Sequence, residues 1–276
     1  MVPLTQVELN ITELCNRTCF FCPRAYDYPN LNYHMTPDIA EQAFKQTAPY
    51  TDYVTLAGRG EPLLGKYLYE ILELAVKYRT RFRIITNGDT LHKHIDEIHK
   101  ILNLTSTGYA KLSVNCYDGE DQYNEWTKLY KDFSAIEFTT KRRTDDVDNK
   151  WWRVEKKQVT NRAGAMPWTN EIALDKPCFV LFHKTFIDYN GDVNLCCHDW
   201  KVIESYGNIM KKDFSEIWET GKLHDQRLGL TRYGSRANYT ACMECDSLQE
   251  EDRCIKAYDS WKSNKVKPTR FGTNFE

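Results

Sequence analysis

The sequence predicts an α/β fold with two parts: an incomplete (β/α)6 barrel over residues 1–168 and a small cysteine-rich domain over residues 169–276. Up to about residue 165, short β-rich runs alternate with helical patterns, which is typical of βα units and a parallel sheet. Beyond about residue 170 this alternation gives way to turn-rich segments. Six of the ten cysteines fall in this second part, between Cys178 and Cys254.

The barrel prediction rests on six strands and the helices between them. The strands are predicted over 6–11, 53–57, 81–86, 110–115, 135–139 and 154–160. The clearest helix follows the second strand, where apolar residues from Leu68 to Val76 repeat at the spacing of one buried face. A second helix is expected from Leu91 to Leu102. Another opens at Thr36-Pro37-Asp38, a typical helix start. The rear part has one predicted helix, beginning at Asp213.

Composition excludes several classes of protein. The net charge of −2, from 37 basic and 39 acidic side chains, provides no global field for nucleic acid or an anionic membrane. No stretch approaches the roughly 18 uncharged apolar residues of a spanning helix, and the first residues lack the order of a signal peptide. We therefore expect a cytoplasmic protein, whose cysteines bind metal rather than form disulfides.

The first cysteine group is a C-x3-C-x2-C triplet directly after a predicted strand. It consists of Cys15, Cys19 and Cys22. Three thiolates leave one position open on an iron–sulfur cube, where a substrate or cofactor can bind. Three core cysteines or a zinc knuckle are the alternative interpretations.

This triplet resembles the defining motif of the radical S-adenosylmethionine (SAM) enzymes, C-x3-C-x-aromatic-C, with Phe21 at the aromatic position. The resemblance implies that the triplet holds a [4Fe–4S] cluster whose open iron binds SAM. Phe21 would then pack near the adenine. Gly60-Glu61-Pro62 resembles the family's Gly-Gly-Glu segment, which holds the methionyl ammonium of SAM, although Arg59 replaces the first glycine. Thr86-Asn87 closes the third strand, near the cofactor in this family.

The second cysteine group combines a C-x12-G-x4-C stretch with a distant C-x2-C pair. Its members are Cys178, Cys196, Cys242 and Cys245, with Gly191 at the glycine position. These four thiolates can surround either zinc or an iron–sulfur cluster. The spacing resembles the SPASM/twitch extension of radical SAM enzymes, which implies one auxiliary [4Fe–4S] cluster. Cys197 and Cys254 are expected to be free thiols, and Cys116 is expected to be a small core residue at a strand end.

One candidate substrate residue comes from the segment Asn161-Arg162-Ala163-Gly164. A dehydrogenase of this family has Asn-Arg-Gly-Gly here, and the resemblance implies that Arg162 lies at the substrate. Arg59 and His198 depart from that relative, and both are expected to face the substrate.

We therefore predict a radical SAM oxidoreductase that removes hydrogen from a small polar, carbohydrate-like molecule, with the auxiliary cluster accepting the second electron. An electron donor such as flavodoxin or ferredoxin is expected as a partner. Peptide modification is one alternative, although no extra N-terminal domain is expected to hold a leader peptide. Redox-neutral epimerisation is another. From a different class, a zinc-binding interaction protein would keep both cysteine groups but has no use for Phe21 or Glu61.

Overall fold

The computed structural model describes residues 2–51, 53–104, 110–133, 135–140, 160–168, 175–247 and 252–263. A single eight-stranded sheet links the two parts of the chain, in the order β5-β4-β3-β2-β1-β6-β7-β8. Its strands are β1 (Gln6–Asn10), β2 (Tyr53–Ala57), β3 (Arg81–Thr86), β4 (Ala110–Cys116), β5 (Ile136–Thr140), β6 (Lys184–Ile187), β7 (Asp192–Asn194) and β8 (Ser205–Asn208). The first six are parallel, and the last two turn antiparallel.

The α/β fold class and the first five predicted strands are confirmed, each within one residue at either end. The strand predicted over 154–160 lies outside the described residues except for Thr160. A parallel strand that the sequence analysis missed, β6, pairs with the free edge of β1, with Gln6 opposite Lys184 and Leu9 opposite Ile187. With only four residues it is too short for its periodicity to stand out among turn signals.

Within the described ranges, the structure contains helices at all four predicted positions, together with four helices that the sequence analysis did not predict. They are α1 (Pro37–Thr47), α2 (Leu68–Lys77), α3 (Ile95–Asn103), α4 (Glu120–Leu129), α5 (Phe214–Glu219), α6 (Gly221–Gly229), α7 (Thr240–Met243) and α8 (Asp252–Lys262). The helix expected from Leu91 is interrupted, since a short 3-10 turn (Leu91–Lys93) precedes α3. The sequence did not reveal α4, because no residue of that helix is fully buried.

Alternation along the first three strands separates the core from the site. Val7, Leu9, Val54 and Leu56 belong to the buried apolar core, together with apolar residues of α1, α2 and α3. Their neighbours Gln6, Glu8, Thr55 and Arg83 line an internal cavity on the other face of the sheet. Successive strand residues point to opposite faces, so one face packs against helices while the other remains polar.

No helix among the described residues is both long and apolar enough to cross a membrane. All ten cysteines lie in the described part, and none of them forms a disulfide bond there. The boundary predicted at residue 168 adjoins residues 169–174, which are outside the described part, so the two domain ranges stay a prediction.

Candidate active site

A cavity of about 540 Å³ opens where the parallel strands end and extends into the polar interior of the barrel. It gathers most of the residues that the sequence analysis proposed for the front site. These are Cys15, Cys19, Phe21, Cys22, Gly60, Glu61, Thr86, Asn87 and Arg162. Pro62 is buried and begins a 3-10 turn (Pro62–Leu64) behind the cavity wall, and its proposed contact with SAM stays a prediction. Reactive groups of α/β barrels collect at these strand ends.

The front cysteine loop is fixed by its own backbone and by Asn30. The Cys15 amide donates to the Asn30 side-chain oxygen at 2.9 Å, and the Asn30 amide group donates back to the Cys15 carbonyl at 3.0 Å. The Cys22 amide donates to the Cys19 carbonyl at 2.9 Å. Burial raises the pKa of Cys15 and Cys22, so a positive centre must be present to hold them as thiolates. Three half-buried thiols on one ordered loop fit an open-site cluster.

Gly60 lies against the start of this loop. A Cβ at this position would be 2.1 Å from the Thr12 carbonyl oxygen and 2.8 Å from that of Leu14. The next amide, that of Glu61, donates to the Leu14 carbonyl at 2.8 Å. Only glycine permits this approach, which joins the end of β2 to the chain that carries Cys15.

The Glu61 carboxylate connects the ends of β2 and β3. It accepts hydrogen bonds from the Leu63 amide (3.0 Å), the Thr86 hydroxyl (2.5 Å) and the Asn87 amide (2.7 Å). Burial raises the pKa of Glu61 to about 7, although these three donors oppose the effect. A cationic ligand in the cavity would favour the charged form.

Asn87 and Arg17 tie the front loop to the strand ends. The Asn87 amide group donates to the Asn16 side-chain oxygen at 2.9 Å. Arg17 forms bidentate ion pairs with Asp89, after β3, and with Asp118, after β4. Both carboxylates compensate the Arg17 charge, so this guanidinium braces the loop.

Arg59 lines the front cavity, with its guanidinium held in a buried ion-pair network, and its expected contact with the substrate stays a prediction. It contacts Asp188, pairs with Glu13 at 3.3 Å and lies 4.9 Å from the centre of the Phe186 ring. Its backbone amide donates to the Asn10 side chain at 3.0 Å. Arg59 therefore forms part of the cavity wall and joins the barrel to the turn after β6.

Arg162 reaches the cavity from a strained turn. Arg162 and Ala163 both have φ of +52°, a left-handed conformation that is costly outside glycine. Asn161 holds the turn in place: its backbone amide donates to both Asp246 carboxylate oxygens, at 2.8 and 2.9 Å, and its side chain donates to the Glu244 carbonyl at 2.7 Å. The Arg162 Nε is buried without a hydrogen-bond partner. Strain of this kind is typical of functional sites.

The rear cysteines form a second site. Cys178, Cys196, Cys242 and Cys245 line one apolar cavity together with His198 and Arg236. Gly191, with φ of +86°, sits in the turn between β6 and β7 that leads to Cys196. Burial raises the pKa of Cys242 to about 12 and of Cys245 to about 11. Four enclosed thiols that need a positive centre to ionise fit the ligand set of a second cluster.

Cys196 and Cys197 face the two different cavities. Cys196 lines the rear cavity, while Cys197 lines the front one. The Lys184 ammonium forms a hydrogen bond with the Cys197 side chain and lies 3.9 Å from the Glu8 carboxylate. Two residues adjacent in the chain thus line the two cavities.

His198 lines the rear cavity, contrary to the expectation that it faces the substrate. Its Nδ1 lies 3.1 Å from the Thr160 hydroxyl. Within the described part of the chain, no three His, Cys, Asp or Glu side chains are grouped as ligands of a single metal ion. The sequence analysis did not predict that Cys197 and Lys184 line the front cavity or that Arg236 lines the rear one. Of the three, only Cys197 could have been noticed from the sequence, because it directly follows the proposed ligand Cys196.

Family models match both parts of the chain. One described as the Radical SAM superfamily matches residues 9–134, and one described as an iron-sulfur cluster-binding domain, SPASM, matches residues 178–246. The two models cover the front and rear cysteine groups respectively.

Two curated proteins show sequence similarity. The S-adenosyl-L-methionine-dependent 2-deoxy-scyllo-inosamine dehydrogenase of Niallia circulans is 24% identical over 256 residues, which cover 90% of this chain and 96% of that protein. The probable GTP 3′,8-cyclase of Pyrococcus horikoshii is 30% identical over 91 residues, only 33% of this chain and 29% of that protein.

Solved structures show the same fold. The structure of BtrN in complex with AdoMet and 2-DOIA has a TM-score of 0.70 at 22% identity and covers 91% of this chain and 96% of that one. Streptococcus suis SuiB bound to S-adenosylmethionine has a TM-score of 0.50 at 14% identity, covering 89% of this chain and 72% of that one.

Proposed function

This chain is a radical SAM enzyme with a SPASM domain, and from that premise we propose that it oxidises a small polar, carbohydrate-like molecule by two electrons. One observation carries the proposal: similarity to a dehydrogenase extends over 90% of this chain and 96% of the relative, including the rear cysteine domain. The zinc-binding alternative does not agree with the two family models.

The cofactors are SAM, the [4Fe–4S] cluster that binds it, and an auxiliary iron–sulfur cluster. When bound, they supply a 5′-deoxyadenosyl radical for hydrogen abstraction and an acceptor for one further electron. The thiols proposed to hold the front cluster are those of Cys15, Cys19 and Cys22. Those proposed for the auxiliary cluster belong to Cys178, Cys196, Cys242 and Cys245.

The chain's own residues prepare the SAM site. Gly60 allows close backbone approach, and the Glu61 carboxylate offers an acceptor to the amino group of SAM. Thr86 and Asn87 hold that carboxylate in one orientation. Phe21 is buried at the cavity, 5.3 Å from the Tyr117 ring centre, and offers an apolar surface for the adenine. These fixed partners reduce the entropy cost of binding.

Arg162 is the residue proposed to contact the substrate. Oxidation of a carbinol takes a hydrogen atom from carbon, a proton from oxygen and one further electron. The Arg162 turn lies between the front and rear sites, since Arg162 lines the front cavity and the next residue, Ala163, lines the rear one. The five N–H donors of Arg162 suit hydroxyl and carbonyl oxygens, so Arg162 can orient the reacting carbon.

The adjacency of Cys196 and Cys197 supports the electron-acceptor role of the rear site, because Cys196 lines the rear cavity while Cys197 lines the front one. An external one-electron donor such as flavodoxin or ferredoxin completes the proposal for the front cluster. A cytoplasmic, reducing location suits both groups of cysteines, which form no disulfide bonds.

The test compares wild-type protein with Cys242→Ala/Cys245→Ala, both assembled anaerobically with iron and sulfide and given SAM and dithionite. A panel of carbon-deuterated polyols, including 2-deoxy-scyllo-inosamine, serves as the probe. Wild type should transfer deuterium from one carbon into 5′-deoxyadenosine, consume one SAM per product and yield a carbonyl. The double variant should still cleave SAM but yield no carbonyl product.

Circular dichroism establishes first that the double variant is folded, because a rear cluster also stabilises its domain. Carbonyl product formed normally by a folded double variant would refute the acceptor role. Deuterium transfer with regeneration of SAM would favour epimerisation instead.

A further inference from the structure

Arg236 is a fully buried guanidinium, 1% exposed, on the 3-10 turn Ser235–Asn238. Its terminal nitrogens donate to the carbonyl oxygens of Ser247 (2.7 Å) and Pro177 (3.3 Å). Its Nε is buried with no hydrogen-bond partner. No Asp or Glu in the described ranges forms an ion pair with it. A buried charge without a counter-charge is energetically unfavourable, so we expect an anion close to the Arg236 guanidinium.

The rear cavity is the place where we expect this anion to bind. Arg236 lines it alongside the four rear thiols. The two carbonyls that it binds belong to the residue before Cys178 and to the residue two positions after Cys245. The guanidinium is therefore fixed beside the cavity by the same two segments that supply its cysteines.

Gln226 provides a second donor to the rear site, at Cys242. Its Nε2 lies 3.9 Å from the Cys242 sulfur, within the range of an N–H···S hydrogen bond. The Tyr206 hydroxyl donates to the Gln226 side-chain oxygen and so orients the amide group toward the sulfur. Gln226 is 4% exposed, which shields this contact from water.

We propose that Arg236 is the buried counter-charge of the auxiliary cluster and that, with the Gln226 amide, it raises the reduction potential of this cluster. The inference rests on the proposed role of the four rear thiols. Net charge and hydrogen bonds to sulfur set the potential of an iron–sulfur centre. A positive charge and an N–H donor both favour the reduced state, which carries one more electron, so the rear cluster becomes the better acceptor.

The test uses the Cys15→Ala/Cys19→Ala/Cys22→Ala protein, in which the rear cluster titrates alone. Its midpoint potential is measured by EPR-monitored redox titration, with and without Arg236→Gln. In Arg236→Gln we expect the ratio of reduced to oxidised cluster at a fixed solution potential to be at least tenfold lower. This corresponds to a midpoint potential that is lower by about 59 mV for one electron. Gln226→Leu should shift the potential in the same direction by less, and Arg236→Lys should stay near the starting value.

Lys201→Gln is the matched control, because it removes a positive charge from the same domain at an exposed position, where solvent screens it. If the midpoint potential were unshifted in both Arg236→Gln and Gln226→Leu, the inference would be wrong. This result would not contradict the proposed rear cluster itself. Absence of about four irons in the front-loop variant would instead refute the proposed cluster.

A spectroscopic measurement tests the inference if Arg236→Gln binds no iron and its potential cannot be titrated. In protein labelled with 15N-arginine, HYSCORE spectra of the reduced rear cluster should show an arginine nitrogen coupling that Arg236→Lys removes. A spectrum without such a coupling, or one unchanged in Arg236→Lys, would also overturn the inference.

Discussion

Replacing Glu61 with glutamine should weaken SAM binding by about 10- to 100-fold. The substitution removes a charge-assisted contact with the amino group of SAM, which contributes roughly 1.5–3 kcal/mol. The surrounding structure adds to the loss. Both carboxylate oxygens accept hydrogen bonds, from Leu63 and Thr86 on one side and from Asn87 on the other. An amide keeps only one acceptor oxygen, so its NH2 group must face a donor and leave that donor unsatisfied.

The affinity is measured by anaerobic calorimetric titration of SAM into reconstituted protein. Glu8→Gln is the matched control, because Glu8 lines the same cavity from inside the barrel and pairs with Lys184 at 3.9 Å. We expect SAM affinity within about twofold of wild type in this control. If Glu61→Gln also bound SAM within twofold of wild type, the assignment of Glu61 would be wrong.

The remaining predictions concern pH, iron content, turnover and stability. With the pKa of Glu61 at about 7, the carboxylate is mostly charged at pH 8 and mostly neutral at pH 6. The ratio of SAM affinity between wild type and Glu61→Gln should therefore fall as the pH is lowered from 8 to 6, as followed by the same titration. Two [4Fe–4S] cubes imply about eight irons per chain, and Cys15→Ala/Cys19→Ala/Cys22→Ala should leave about four by colorimetric assay; full iron content would exclude the front loop as a cluster site. Arg162→Ala should lower substrate turnover more than SAM binding, and equal losses in both assays would contradict a substrate role. Asp188→Ala leaves the buried Arg59 with Glu13 at 3.3 Å as its remaining ion pair and should destabilise the protein by about 3–5 kcal/mol, seen as a lower melting temperature. Glu97→Ala, which breaks an exposed ion pair with Lys100, should change the melting temperature little.

The front site was predictable because its chemistry is local in the sequence. Cys15, Cys19 and Cys22 lie within one loop, and the glycine and glutamate after β2 must meet them wherever parallel strands end at one edge. The family prediction is confirmed, since one family model covers the front cysteine group and another covers the rear one. Apolar periodicity predicted α2 for a similar reason, since the apolar residues of its buried face all lie within ten consecutive residues.

What escaped prediction depends on contacts between distant segments. The position of β6 beside β1 joins residues 178 positions apart, and four residues carry too little pattern to reveal it. Arg59 occupies the position of a family glycine, yet its partner Asp188 comes from the turn after β6. His198 and Cys197 are neighbours in the chain but line different cavities, and which side each takes depends on backbone geometry that spacing does not encode.

The anchoring of the Arg162 turn couples one side of the front cavity to the rear cysteine segment. Asn161 is held by Asp246 and by the backbone of Glu244, which lies between the two cysteines of the rear C-x2-C pair. A change in the backbone geometry of this pair would therefore be transmitted through Asn161 to the Arg162 turn. The two cavities thus form one mechanical unit, although their lining residues lie more than 80 positions apart in the chain.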